Sequence, residues 1–136
     1  MTKITAALVP ETLRITIPAQ HFKQHFPFKI EPAIYNIARM LCPGYQGAYW
    51  DFYTLSNNGF FMVPDIDEPV RIVCENGYEG QVSKEAFGII VCLYAYSHLS
   101  FTKIFALAAM SSEHFHALRD FALQHAEAEA ILESVD

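Results

Sequence analysis

The sequence predicts an α+β fold, in which a small antiparallel sheet of three to four strands, built on a central aromatic hairpin, packs with four to six helices. Three observations carry this expectation. Residues 45–62 read strand, turn, strand; apolar residues at helical spacing precede them; helical patterns return from residue 83 to the end. Helices and strands grouped in separate runs, with no βαβ alternation, indicate α+β architecture. At 136 residues the chain fits one domain, residues 1–136, able to bury roughly two-thirds of the surface its unfolded form exposes.

The elements follow in order. Leu13, Ile15 and Ile17 alternate with Arg14 and Thr16, the pattern of a short strand or extended arm. Pro18 opens a helical turn over residues 19–26, with Phe22 and Phe26 four apart on one face. A second helix spans 31–42, its apolar stripe Ile34, Ile37, Ala38 and Leu41, and Pro43-Gly44 stops it. In the hairpin, Tyr49, Trp50, Phe52 and Tyr53 form the first strand. Ser56-Asn57-Asn58-Gly59 supplies residues that tolerate positive φ, and Phe60-Phe61-Met62-Val63 returns. Alternate residues of a strand face opposite ways, so Trp50 and Phe52 point into the core and Asp51 and Tyr53 away from it.

The β-branched run 70–74 predicts a third strand and residues 78–82 a short fourth, joined by Asn76-Gly77. Ser83 caps a helix reaching about Leu99 that is apolar nearly all round, as a central core helix is. Residues 101–110 are apolar without a clear period. Ser111 or Ser112 is expected to cap a helix over 113–125 that buries Phe115, Leu118, Phe121 and Ala122, and 127–135 forms a short terminal helix packed by Ile131 and Leu132. The expected core centres on Trp50, Phe52, Phe60, Phe115 and Phe121.

The wording of the hairpin, Gly-x-Tyr-Trp-x-Phe-Tyr-x-Leu-Ser-Asn-x-Gly-Phe-Phe-Met from Gly47 to Met62, resembles the antirestriction proteins of the ArdB/KlcA family. The likeness extends to Leu8-Val9-Pro10-Glu11, His21-Phe22 with His25-Phe26, the run from Gly77 to Gly80, and the run from His116 to Phe121. It covers nearly the whole chain. It implies a protein carried by conjugative plasmids and other mobile elements that protects incoming DNA from the host's type I restriction-modification enzymes.

Composition narrows the classes. Fifteen acids against nine bases give a net charge of -6, and the bases are scattered, so no basic footprint for nucleic acid is present and direct DNA binding is not expected. Imitation of DNA is not expected either: a duplex carries about one charge per 1.7 Å, so a mimic spanning roughly 40 Å needs on the order of twenty negative charges. The most apolar stretch, 86–99, is too short to span a bilayer and holds Tyr94, Tyr96, Ser97 and His98. Cys42, Cys74 and Cys92 are odd in number and lie in apolar surroundings, as buried thiols of a reducing cytosol do. A cytoplasmic protein without membrane contact is expected.

No residue set spells out catalysis. Ser56 sits in a hairpin turn and not in a nucleophile elbow, and no phosphate-cradling glycine pattern occurs. His21 and His25, four apart, share a helical face and match a two-histidine metal site, but Phe22 and Phe26 beside them favour histidines at the edge of a core. His114 and His116, two apart, point to different sides. Arg119 and Asp120 read as polar groups on a solvated helix surface or as partner contacts. Trp50, Phe52 and Tyr53 resemble a base-stacking platform but lack its positive groove.

The expected function is therefore a non-enzymatic inhibitor of type I restriction, without cofactor or metal, contacting the restriction-modification complex directly or through a host factor. Tyr53, Asn57, Arg119, Asp120, Glu127, Glu129, Glu133 and Asp136 are the candidate contact residues. The alternative is an adaptor or small-ligand-binding protein whose aromatic hairpin lines a pocket.

Overall fold

The computed structural model describes residues 2–136. Five α-helices and two small antiparallel sheets make up the α+β fold that the sequence predicts. The first sheet has the order β1-β2-β3, with β1 Ala6–Leu8, β2 Trp50–Leu55 and β3 Phe60–Pro64. The four strands expected do not share one sheet: β4 (Val70–Val73) and β5 (Glu79–Val82) pair only with each other. The hairpin register sets Trp50 opposite Pro64, Phe52 opposite Met62 and Tyr53 opposite Phe61, and Asn58 takes the positive φ (70°) that its turn requires.

The sheet is covered on both faces. Phe52 and Phe60 meet Phe22 and Phe26 from the N-terminal helices, with ring centroids 5.5–5.7 Å apart. Trp50 donates its indole N–H to the Tyr45 hydroxyl at 2.9 Å. On the opposite face Tyr53 stacks on Phe61, and Phe61 on Phe121. Trp50, Phe52 and Phe60 are buried, whereas Phe115 and Phe121 are half-buried at the margin of the core.

Helix α3 (Lys84–Leu99) runs along β3. Ser83 caps it, its Oγ accepting from the Ala86 N–H at 3.1 Å. Gly88 brings it close enough that an added Cβ would stand 2.1 Å from the Met62 carbonyl oxygen. About two turns on, the buried Tyr96 hydroxyl donates to the Phe60 carbonyl at 2.5 Å. The helix thereby satisfies and shields a strand edge that would otherwise invite pairing with another chain.

Three sequence expectations are corrected. Residues 13–17 are not a strand: Glu11–Leu13 is a 3-10 turn, α1 (Thr16–Phe22) begins directly after it, and Ile15 is 89% exposed. Of the alternating residues, Leu13 and Ile15 are left exposed while Ile17 packs against the core from α1. Helix α1 also does not reach residue 26, because Lys23 takes φ 56°, and a π-helical turn (Phe26–Ile30) then leads into α2 (Glu31–Leu41). Finally, neither Ser111 nor Ser112 is a cap. The alanine-rich stretch after residue 104 is a strong helix former, so α4 spans Phe105–Leu123 and buries Leu107, Ser111, His114, Leu118 and Ala122. Helix α5 (Ala128–Val135) closes the chain, with Ile131 buried and Leu132 half-buried. No helix among the described residues is long and apolar enough to cross a membrane.

Candidate functional site

The residues singled out from the sequence fall into two groups. Asn57 is engaged within the protein: its amide donates to the Ala117 carbonyl at 2.9 Å and its oxygen accepts from the Gly59 N–H, pinning the hairpin turn to α4. Glu127 is not a free surface acid, since its carboxylate accepts both the Ser83 N–H, at 3.0 Å, and the Ser83 hydroxyl at the start of α3. Tyr53 and Arg119 are half-buried, and Asp120, Glu129, Glu133 and Asp136 are exposed. The start of the chain lies beside Asp120, held by the Gln124 amide through the Ile4 N–H and the Thr2 carbonyl.

Around Glu127 the polar groups close on one another. His125 Nδ1 accepts from the Glu127 N–H at 2.9 Å, so its Nε2 carries the proton toward Glu85 Oε2, 2.7 Å away. This bond is the main cause holding the Glu85 carboxyl below its ordinary value. The Ser83 hydroxyl donates to the Glu127 carboxylate while its oxygen caps α3, so the cluster locks the start of α3 to the start of α5.

The histidines are redistributed. Because α1 ends at Phe22, His21 and His25 do not share a helical face; His21 instead meets His114, their ring centroids 5.2 Å apart. His114 is buried, lies 4.3 Å from the Phe22 ring, and its Nδ1 has no partner among the described residues. Burial, and secondarily the facing His21, pushes its pKa down to about 4. Two neutral imidazoles inside an aromatic cluster are a packing device, and no group of three or more metal-binding side chains forms among the described residues.

The concave feature that sequence reading missed lies between α1, the π turn and the hairpin. A groove of about 540 Å³ is lined by Arg14, Ile15, Pro18, Ala19, Lys23, Gln24, Phe26, Pro27, Phe28, Glu31 and Phe52. The Arg14 guanidinium carbon lies over the Phe52 ring, 3.9 Å from its centroid, and 4.6 Å from that of Tyr49, a cation–π arrangement that holds the side chain. Ile15 and Phe28, 89% and 76% exposed, stand at the rim.

Comparison with known proteins places this architecture. Residues 43–136 match the family model described as Antirestriction protein. Over 98% of its length the chain is 44% identical to the uncharacterized protein YafX of Escherichia coli K12, covering 89% of that relative, and 37% identical to an antirestriction protein KlcA of Escherichia coli, covering 95% of it. The chain belongs to the antirestriction protein family. A solved structure from work on the KlcA and ArdB proteins, whose antirestriction activity against type I DNA restriction systems holds in vivo but not in vitro, has 35% identity. It superimposes with a TM-score of 0.91, covering 100% of this chain and 99% of that one.

The ArdB/KlcA resemblance read from the hairpin is thus borne out, and the aromatic run that carries it has a structural reason. In this antirestriction fold Trp50, Phe52 and Phe60 build the core contact between the sheet and the N-terminal helices. The groove beside them includes Phe52, whose ring lies under Arg14. A sequence signal for it was Ile15, which served as strand evidence instead.

Proposed function

We propose that the protein is a non-enzymatic antirestriction protein, acting as one domain on DNA cleavage by type I restriction-modification systems and without imitating DNA. The observation that carries this reading is the family likeness over the whole chain, in sequence and in fold. A non-catalytic role is supported by the engagement of Ser83, His125 and Glu127 with one another. Non-mimicry is supported by charge: Glu127 is drawn inward and Lys84 lies 3.7 Å from Asp65, so the net charge of -6 does not assemble into a duplex-like array.

Activity in cells but not with purified components, as described for KlcA and ArdB, favours action through a cellular partner over simple blockade of the enzyme. Of the contact residues expected from sequence, Tyr53, Arg119, Asp120, Glu129, Glu133 and Asp136 stay accessible to a partner, while Asn57 and Glu127 already have partners inside the protein. The test is the plating efficiency of unmodified phage on cells carrying a type I system. Expression is expected to raise plating toward that of modified phage, and unchanged restriction contradicts the reading. The alternative of a ligand-binding protein gains one observation, the presence of Phe52 in the groove.

A further inference from the structure

We infer that the groove between α1 and the π turn docks a segment of a protein partner that presents an apolar side chain beside a carboxylate. That the partner belongs to the restriction pathway rests on the antirestriction reading; the chemistry of the groove does not. Four observations converge. Arg14 is immobilised on two aromatic rings, yet no carboxylate lies within ion-pair distance of it among the described residues; its fork of N–H donors is shaped to take one bidentately. Lys23 adds a second positive charge to the groove lining. The lining's single acid, Glu31, accepts from the Tyr35 hydroxyl at 2.8 Å, so a positively charged recess opens on an acidic protein.

The third observation is apolar. Ile15 and Phe28 are among the most exposed large hydrophobic residues of the chain, and they flank one recess; clustered apolar exposure rimmed by charge marks an interaction surface. The recess has the size of a small-ligand site, about 300–1,000 Å³ in general. Its apolar contact surface, however, continues outward onto the rim, which a small molecule inside would leave bare and a polypeptide segment would cover. The fourth is backbone. Lys23 adopts φ 56° with ψ -141°, a region almost reserved for glycine and strained for any other residue. The chain tolerates this at a residue lining the groove.

The experiment uses the full chain and a fluorescein-labelled short peptide carrying a Leu-Phe pair flanked by glutamates, followed by anisotropy and by amide chemical shifts. Binding is expected with shifts at Arg14, Ile15 and Phe28. It should weaken about tenfold or more for Arg14→Gln, for Phe28→Ser, and for a peptide with lysines in place of the glutamates. Lys23→Gly relieves the backbone and removes the charge, so it should melt no lower than the parent while binding more weakly; a purely structural residue does not show that pair of effects. Phe105→Ser, an equally exposed apolar site elsewhere, is the control and should bind like the parent.

Equal affinity for both peptides, or shifts that map away from the groove, overturns the proposal. So do tighter occupation by decanoate than by the peptide, which would mark a small-molecule site, and concentration-dependent shifts at the same residues without peptide, which would mark a second copy. Since the binding readout is independent of restriction, a parent protein that binds the peptide but does not protect phage sinks the functional reading alone. A groove variant that loses the peptide but protects fully sinks the groove alone.

Discussion

The two ends of this molecule treat their polar groups in opposite ways. At the C-terminal end Glu127 receives Ser83, His125 sits between Glu85 and the Glu127 N–H, Asn76 donates to the Glu133 carbonyl and Tyr94 to that of Ser134. At the N-terminal end Arg14 and Lys23 have no carboxylate within ion-pair distance among the described residues, and Ile15 and Phe28 stand in solvent. Matched groups stabilise the fold; unmatched ones, held rigidly beside exposed apolar surface, are where a further molecule gains most. From sequence the acidic C-terminus looked like the surface and the N-terminal apolar residues like the scaffold. In the structure Glu127 is engaged within the protein, Glu129, Glu133 and Asp136 are exposed, and Ile15 stands in solvent.

The comparison can be broken by substitution, beginning where the effect is largest. Trp50→Ala removes a buried ring and leaves the Tyr45 hydroxyl without its donor. It should destabilise by about 3–5 kcal/mol, read by urea denaturation, and any loss of antirestriction there reports unfolding. A destabilisation under about 1 kcal/mol would show that the aromatic hairpin is not the centre of the core.

Acid comes next. His114 is buried and neutral in the native protein, with its pKa lowered from 6.5 to about 4. The unfolded chain therefore binds a proton that the native state refuses. Stability is complete above pH 6.5 and declines as pH falls toward 4, by roughly 2–3 kcal/mol at about 1.4 kcal/mol per unit. His21 is shifted the same way. Glu85, with its pKa lowered from 4.5, adds its loss only at lower pH. His114→Phe should flatten most of the slope between pH 6.5 and 4.5 while keeping the stack on Phe22. An unchanged slope in that variant would assign the acid sensitivity elsewhere.

A smaller effect separates the acids of the C-terminal end from one another. Glu127→Gln weakens the bonds to Ser83 and should lower stability by about 1–2 kcal/mol. Neutralising the exposed Glu129, Glu133 and Asp136 together should change it by no more than about 0.5 kcal/mol per site. Thermal melting at neutral pH checks both, and equal shifts would mean that Glu127 is as solvated as its neighbours.

What was legible from sequence follows from how local each signal is. The hairpin carried its own turn at Asn58, α2 its own apolar stripe and α3 its own cap at Ser83, and these stand within a residue or two of where they were expected. Helix α4 was misjudged because its buried stripe includes Ser111 and His114, polar residues that a hydrophobic pattern counts as surface. The pairing of His21 with His114 joins segments far apart in the chain, and the groove, though lined mostly from residues 14–31, needs Phe52 of the hairpin as its floor for Arg14. Glu127 illustrates the same limit: its role depends on Ser83, which only the folded chain brings beside it.

The central claim is that the unmatched N-terminal groove and not the acidic C-terminal helix is the working surface. Its most direct test is plating of unmodified phage on cells with a type I system, comparing an Ile15→Ser/Phe28→Ser variant with a Glu129→Gln/Glu133→Gln/Asp136→Asn variant, each confirmed to melt within a few degrees of the parent. The account predicts that the groove variant loses most protection while the tail variant keeps it. Full protection by the groove variant, whatever the tail variant does, would contradict the account.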